Sequence, residues 1–419
     1  MTAPASLLRP LAAAAALAFA ASASLAASPL DYIGQATLAT GTMFAGTQVG
    51  GLSGIDYDAA TQSYVAISDD RSQINPARYY RMTLDVAQFQ RANNASGAGV
   101  QFTGVTTLRD VNGQPFAANG VDPESIRLVR GANGPSLLWT NEGLRSGNTY
   151  QNPTLRQMYL DGTPMRSFEV PTAYLPAGSA AGTVAGDRGI RNNLAFESLT
   201  LSTDGSRAYV ATEGALVQDG PAASLAAGSN SRVAEFNLAS GQRSAEYVYR
   251  TDAIVNAPTP GGFADNGLVE LLAVSEGRFI AMERSFAAGS GYNIRLYLTD
   301  TVGATDVSSL ASLQGASFSA MRKSLLLDLG TLRNDDGTAL VLDNVEGITW
   351  GADAGGRKTL MLVADNNFSG SEFTQFIALG VNADLATAPV PEPGTYALML
   401  GGLALLGAFA RNRQARCAR

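Results

Sequence analysis

Acidic residues recur in this chain where short apolar runs begin and end. Ser53, Glu124, Glu197, Glu270 and Glu346 each open such a run, 71, 73, 73 and 76 residues apart, and Asp69, Asp70, Glu142, Glu213, Glu283 and Asp365 close the run that follows. Carboxylates gathered at one place repel, and burial raises the cost, so they need cations, arginines or retained protons to coexist. Calcium is the natural counter-ion because it accepts roughly six to eight oxygen ligands in irregular geometry. The candidate metal ligands are therefore Asp69, Asp70, Glu124, Glu142, Glu197, Glu213, Glu270, Glu283, Glu346 and Asp365. Arginines stand beside several of them: Arg71 after Asp70, Arg145 after Glu142, Arg284 after Glu283, and Arg188 and Arg191 ahead of Glu197. Acids and arginines at one rim suit an anionic ligand, held directly and through metal. The plainer alternative is a set of ion pairs that stabilises the repeat without a ligand. Two further patches, Asp110-Val-Asn-Gly113 and Asp365-Asn-Asn with Ser369 and Glu372, resemble calcium loops but read more simply as turns.

Histidine is absent from all 419 residues. That removes the Ser-His-Asp and Cys-His mechanisms, histidine-bound zinc and the usual general base near neutral pH. There is also no G-x-S-x-G elbow and no G-x-x-x-x-G-K phosphate loop. A hydrolytic route that needs no histidine remains: metal-activated water, a rim carboxylate as base, and arginines against developing charge. The sequence leaves open which carboxylate would be catalytic.

The elements that must position these acids form an internal repeat. Leu52–Tyr57 is followed by Tyr64–Asp70, Pro123–Leu128 by Leu137–Glu142, Phe196–Leu201 by Ala208–Glu213, Val269–Val274 by Phe279–Glu283, and Val345–Trp350 by Leu360–Asp365. Two more strand-like runs follow in most copies, such as Tyr79–Leu84 with Phe102–Thr107 and Arg232–Leu238 with Ala245–Tyr249, separated by turn signals including Asp161-Gly162 and Asp204-Gly205. Four antiparallel strands per copy with no helical period predict an all-β fold, a β-propeller. Five blades are expected, with six the alternative, because blades usually take about 40–50 residues. The fifth copy has room for only three strands, ending at Thr374–Ala378, so a spare N-terminal strand around Gln35–Met43 is expected to pair with it and close the ring. Residues Thr301–Asp336 resist assignment. In a propeller the first strand of each blade lines the central channel, which would bring the repeated acids to one mouth.

The two ends read differently. Arg9, an apolar run from Leu11 to Ala20 and small residues up to Ala27 make a secretory signal over residues 1–27, cleaved near Ala26. At the other end Val390-Pro-Glu-Pro-Gly394 precedes an apolar run, Thr395–Ala410, and then Arg411, Arg413, Arg416 and Arg419. Residues 389–419 thus resemble the PEP-CTERM sorting tail of Gram-negative bacteria, with a plain membrane anchor as the alternative. The resemblance implies transient inner-membrane anchoring through a C-terminal transmembrane helix. It also implies processing by an exosortase, alongside signal peptidase, and export across the inner membrane to the cell surface or the medium. The domain between the ends, 28–388, holds 24 basic and 35 acidic residues, a balance that argues against nucleic acid as a partner. The single cysteine, Cys417, lies in the tail, so stability must come from burial and strand pairing rather than a disulfide.

Across the domain, Gly51–Tyr57 with Val65–Arg71, Phe196–Leu199 with Asp204-Gly205, and Asn344–Ile348 resemble the phytase-like propeller family known for an esterase-like activity of phytase. The resemblance implies a propeller and suggests a calcium-dependent hydrolase of phosphate-ester or ester substrates. The alternative function is a non-catalytic, calcium-bridged propeller that binds an anionic small molecule or matrix polysaccharide, or serves a structural role at the surface.

Overall fold

A computed structural model describes residues 28–131 and 134–390. The candidate signal, 1–27, and residues 391–419 of the candidate tail lie outside the described residues, and among those described no helix is long and apolar enough to cross a membrane.

Among the described residues five four-stranded antiparallel sheets make a ring, so the count is five and not six. Blade one is Leu52–Asp58, Ser63–Ser68, Arg78–Leu84 and Val100–Thr107; blade two is Pro123–Gly131, Gly134–Asn141, Thr154–Tyr159 and Pro164–Ser167. Blade three is Phe196–Leu201, Arg207–Thr212, Asn230–Asn237 and Arg243–Arg250; blade four is Ala264–Ser275, Arg278–Ala287, Gly291–Asp300 and Arg322–Asp328. Blade five takes Asn344–Ala354, Arg357–Asp365 and Phe373–Val381 from the C-terminal side, and its outermost strand, Leu30–Ala39, from the N-terminal side. The closing pair runs from Leu30 opposite Val381 to Ala39 opposite Phe373. It is the pairing expected, centred about five residues nearer the N-terminus, because Met43–Phe44 turns back on Thr47–Gln48 as a small hairpin. The unassigned stretch Thr301–Asp336 supplies the outer strand of blade four and a loop whose Val307 and Leu313 pack on Val248.

Burial explains why the second strands read as continuous apolar runs while the outer strands do not. Tyr64–Ile67 and Leu360–Ala364 are buried on both faces, whereas Val100–Phe102 alternates in exposure, as expected of strands inside and at the edge of a stacked array. Each interface between neighbouring blades holds its own apolar core. Ile67, Tyr79, Ile126 and Trp139 join blades one and two, and Leu138, Leu155, Phe196 and Phe236 join two and three. Tyr209, Tyr249, Leu271 and Phe279 join three and four; Met282, Leu296, Ile348 and Ile377 join four and five; and Ile55, Tyr80, Met361 and Phe376 join five and one.

Near the axis the innermost strands approach closely. A Cβ on Gly54 would come within 2.7 Å of the blade-two backbone, and one on Gly347 within 2.9 Å of Ser53 O. One large side chain crosses this space. Buried Arg127 of blade two donates to Ile55 O, Ile126 O, Leu271 O and Ile348 O, and pairs with Glu270 of blade four at 2.9 Å. Glu270 in turn accepts from Ser125 Oγ and from Leu199 N of blade three.

Arg127→Met leaves the Glu270 carboxylate buried without its cation, and should cost about 3–5 kcal/mol in urea unfolding. Adding Glu270→Leu should restore much of that. Equal losses in the single and double variants would instead assign the effect to the carbonyl contacts.

Candidate functional site

Every innermost strand breaks register at one equivalent place: between Leu52 and Gly54, Pro123 and Ile126, Phe196 and Ser198, Leu268 and Glu270, and Val345 and Gly347. A β-bulge re-aims the extra residue. The residues at these breaks are Ser53, Glu124, Glu197, Val269 and Glu346. Glu270 thus stands one step past the equivalent position, which is why it reaches down to Arg127 instead of up to the mouth. The second strands end in a matching tier. Asp69, Glu142 and Glu213 donate their backbone N–H to Gly51 O, Asp122 O and Ala195 O, and Arg284 and Asp365 lie opposite Gly267 and Asn344. The blade-four member of this tier is therefore Arg284. Its neighbour Glu283 points the other way, to Tyr249 Oη, Asp252 N, Asn266 Nδ2 and Lys323 Nζ.

Together these tiers line a cavity of about 750 Å³ at one mouth of the channel, where Asp69, Glu124, Glu197, Glu346 and Asp365 meet Arg71 and Arg284. Glu142 and Glu213 stand directly behind them. Carboxylate oxygens of Asp122, Glu124 and Glu142 lie within 4.8 Å of one another, as do those of Glu142, Glu197 and Glu213. Glu142 is common to both triads.

The two arginines relieve only part of the crowding. Arg71 lies 2.5 Å from Asp122 and 3.9 Å from Glu142, and donates to Asn193 Oδ1. Arg284 donates to Glu213 Oε1 at 2.6 Å and Asn344 Oδ1 at 3.0 Å, and stands 3.7 Å from Glu346. Ser53 Oγ donates to Glu124 at 2.7 Å, and Ala195 N to Glu142 at 2.9 Å. Burial, and then neighbouring acids, push Glu124, Glu142, Glu197 and Asp365 well above the usual carboxylate range. Burial raises Asp69 to about 8, reinforced by Asp122 and Glu346, and lifts Glu213 to about 7 against the pull of Arg284. Asp69 Oδ1, Glu213 Oε2 and Asp265 Oδ1 are buried without a hydrogen-bond partner. Closely set, under-satisfied hard oxygens suit a divalent cation such as calcium, whose ligands lie about 2.3–2.6 Å from the ion.

The remaining sequence candidates lie apart from this cluster. Asp70 borders the cavity, but its oxygens accept from Gln73 N, Ile74 N and Asn75 N and pair with buried Arg78 at 2.7 Å. Arg145 is buried against the carbonyls of Ala177, Ser179, Arg188 and Ile190, pinning the loop after blade two. Arg188 is exposed on that loop, and Arg191 ties it to Ala215 O and Gly220 O. Asp110 closes an exposed turn through Asn112 N and Gln114 N. Asp365, which belongs to the cluster, also caps a turn through Asn367 N.

Asp122, Asp265 and Asn344 were not among the sequence candidates. Strand parity points to two of them, because Asp122 and Asn344 stand two residues before Glu124 and Glu346 and share their face. Phe368 was also missed. It takes φ 51° beside Asn367 at 44°, a strained pair of the kind that collects at functional sites. Its ring occupies space that a Cβ on Gly50 or Gly51 would invade to 2.8 Å.

These features define a five-bladed propeller with an acidic, arginine-flanked cup at one mouth. The chain belongs to the phytase-like family described as "esterase-like activity of phytase", whose model matches residues 47–368. Residues 389–414 match the PEP-CTERM protein-sorting motif, the signature of export and exosortase processing in Gram-negative bacteria. No curated protein matches the chain. Among solved structures it is similar to the Dos1 propeller, with TM-score 0.34, 7% identity, and coverage of 84% of this chain and 71% of that one. A protein of unknown function from Dyadobacter fermentans DSM 18053 gives 0.39, 8%, 84% and 100%. U3-55K gives 0.32, 9%, 80% and 82%.

Because the folded cluster keeps protons that the unfolded chain has released above about pH 4, its contribution to stability is lost as pH rises through the values of Glu213 and Asp69. In chelator the melting temperature should therefore drop between about pH 5 and pH 8, and a divalent cation such as calcium, which favours deprotonated ligands, should offset that drop. A flat profile in chelator would remove the crowded-acid reading.

Glu142→Gln keeps the acceptor for Ala195 N but takes charge from both triads. Calorimetric titration should show calcium affinity lowered at least about tenfold, while the chelated variant melts above the parent. Unchanged affinity would place the cation elsewhere.

Proposed function

We propose that the cup holds calcium and that the protein is a hydrolase of phosphate-ester or ester substrates, acting outside the inner membrane. The observation that carries this reading is the pair of carboxylate triads sharing Glu142, set beside Arg71 and Arg284 on an open cavity. Asp122, Glu124, Glu142, Glu197 and Glu213 would hold the metal. A cation bound there would supply Lewis-acid polarisation and a water of lowered pKa. Arg71, a third exposed, and Arg284 would hold the anionic oxygens of the substrate and stabilise charge as it develops. Asp69 lies outside both triads, and its Oδ1 is free of hydrogen-bond partners among the described residues; it would hold or accept a proton at that atom. Residues 1–27 would leave with signal peptidase and the tail from 389 with the exosortase. That route delivers the cup to the millimolar calcium at which extracellular sites are tuned.

A panel of aryl phosphates and aryl esters, assayed with calcium and then with chelator, tests this. Turnover that requires calcium and falls at least about a hundredfold in Glu142→Gln is expected. No turnover on any member, together with a calcium-dependent rise in melting temperature, would replace the hydrolase with a calcium-bridged binding propeller. Turnover and stability both indifferent to chelator would remove the metal.

A further inference from the structure

Blade four departs from its four neighbours in two ways that fall at the same place. Its bulge residue is Val269 and its second-strand residue is Arg284, where the other blades mostly carry acids. Its hairpin also continues past that tier, pairing Asn266 with Ser285, Asp265 with Phe286 and Ala264 with Ala287. The third strand extends with it and sets Tyr292 opposite Phe286. The result is a sheet-built wall above the acidic cup, not a loop. It is aromatic: Phe286 and Tyr292 have ring centroids 4.9 Å apart, and Phe263 lies 6.2 Å from Phe286. Tyr292 is fixed by donating to Glu372 Oε1 at 3.0 Å. Phe263 is 66% exposed, and all three rings line the cavity.

Strand parity links this wall to the cation. Arg284 and Phe286 are two residues apart on one strand, so they face the same way at a spacing of roughly 7 Å. An anionic group at Arg284 would therefore place its substituent against the face of Phe286. The side chains of the cup offer few cations to a multiply charged ligand. Among the described residues Arg71 and Arg284 are the two cations lining the cavity, and both are already paired with acids.

We propose that blade four is a specificity wall, and that the cup takes a ligand with one anionic head and a flat apolar face about 7 Å away, either an aryl ring or the C–H face of a sugar. This rests on the reading of the cup as a site for anionic esters, and it disfavours polyphosphorylated ligands. The test uses the full-length protein with calcium, and calorimetric binding of naphthyl phosphate, glucose 1-phosphate, methyl phosphate and inositol hexakisphosphate, with phosphate release measured separately. Naphthyl phosphate or glucose 1-phosphate should bind roughly tenfold tighter than methyl phosphate, and whichever is tighter identifies the face as aryl or sugar. Phe263→Ala, at an exposed position where folding is not at stake, and Phe286→Leu should each shrink that preference. Methyl phosphate binding as tightly as either, inositol hexakisphosphate binding tightest, no binding of any of the four, or a preference that survives both variants would overturn the wall. Preferential binding without phosphate release would overturn the hydrolase and leave the wall standing.

Discussion

One buried ion pair touches every blade of this ring. Arg127 reaches carbonyls of blades one, two, four and five, and its partner Glu270 accepts from a backbone N–H of blade three. Desolvating both charges is costly, and Coulomb attraction offsets that only with good geometry and further hydrogen bonds. Here the further bonds are backbone groups of all five blades, groups that line up only when the ring is complete and in register. The pair therefore fills the axis with contacts that a ring of another size would leave unmade. It also sits beneath the acidic tiers, so the mouth is a cup with a charged floor.

Above that floor the physics runs the other way. Glu124, Glu142, Glu197 and Asp365 are held where burial and one another's charge favour the protonated form. Such a cluster opposes folding at neutral pH. What holds the ring against it is apolar: five inter-blade cores, with the last sealed by a strand brought from the other end of the chain. The blades can carry a repulsive mouth because their adhesion lies farther out, in side chains that do not share in the charge.

The division between what the sequence revealed and what it hid follows from this arrangement. The blades were legible because each second strand is buried on both faces and reads as an unbroken apolar run, and the closing strand was legible because the fifth copy lacks one. Convergence of the acids followed from the repeat. Register did not. A bulge adds one residue without leaving a mark in composition, so Glu270 and Glu283 looked equivalent to Glu197 and Glu213, whereas the ladder makes Val269 and Arg284 their counterparts. Arg71 and Arg284 do reach the cup, whereas Arg145, Arg188 and Arg191 stand apart from it for a different reason. Arg145 lies near Glu142 in sequence, but its side chain turns into the loop at 177–190, and proximity along a chain says nothing about which carbonyls need a donor.

That one-residue difference in blade four changes what the mouth can do. Five identical blades would present a symmetric ring of carboxylates, and such a ring attracts cations but gives a bound ligand no preferred direction. Placing Val269 and Arg284 in one sector removes two carboxylates from the tiers there and adds a cation, so the ring of charge is no longer symmetric. The same blade rises above the ring and carries Phe286 on the face that Arg284 shares. On the proposed reading, charge would set which end of an anionic ligand enters, and the wall would set which face it turns. Orientation of that kind requires a broken symmetry. In this fold a bulge register and an extended hairpin, both backbone features, place the break.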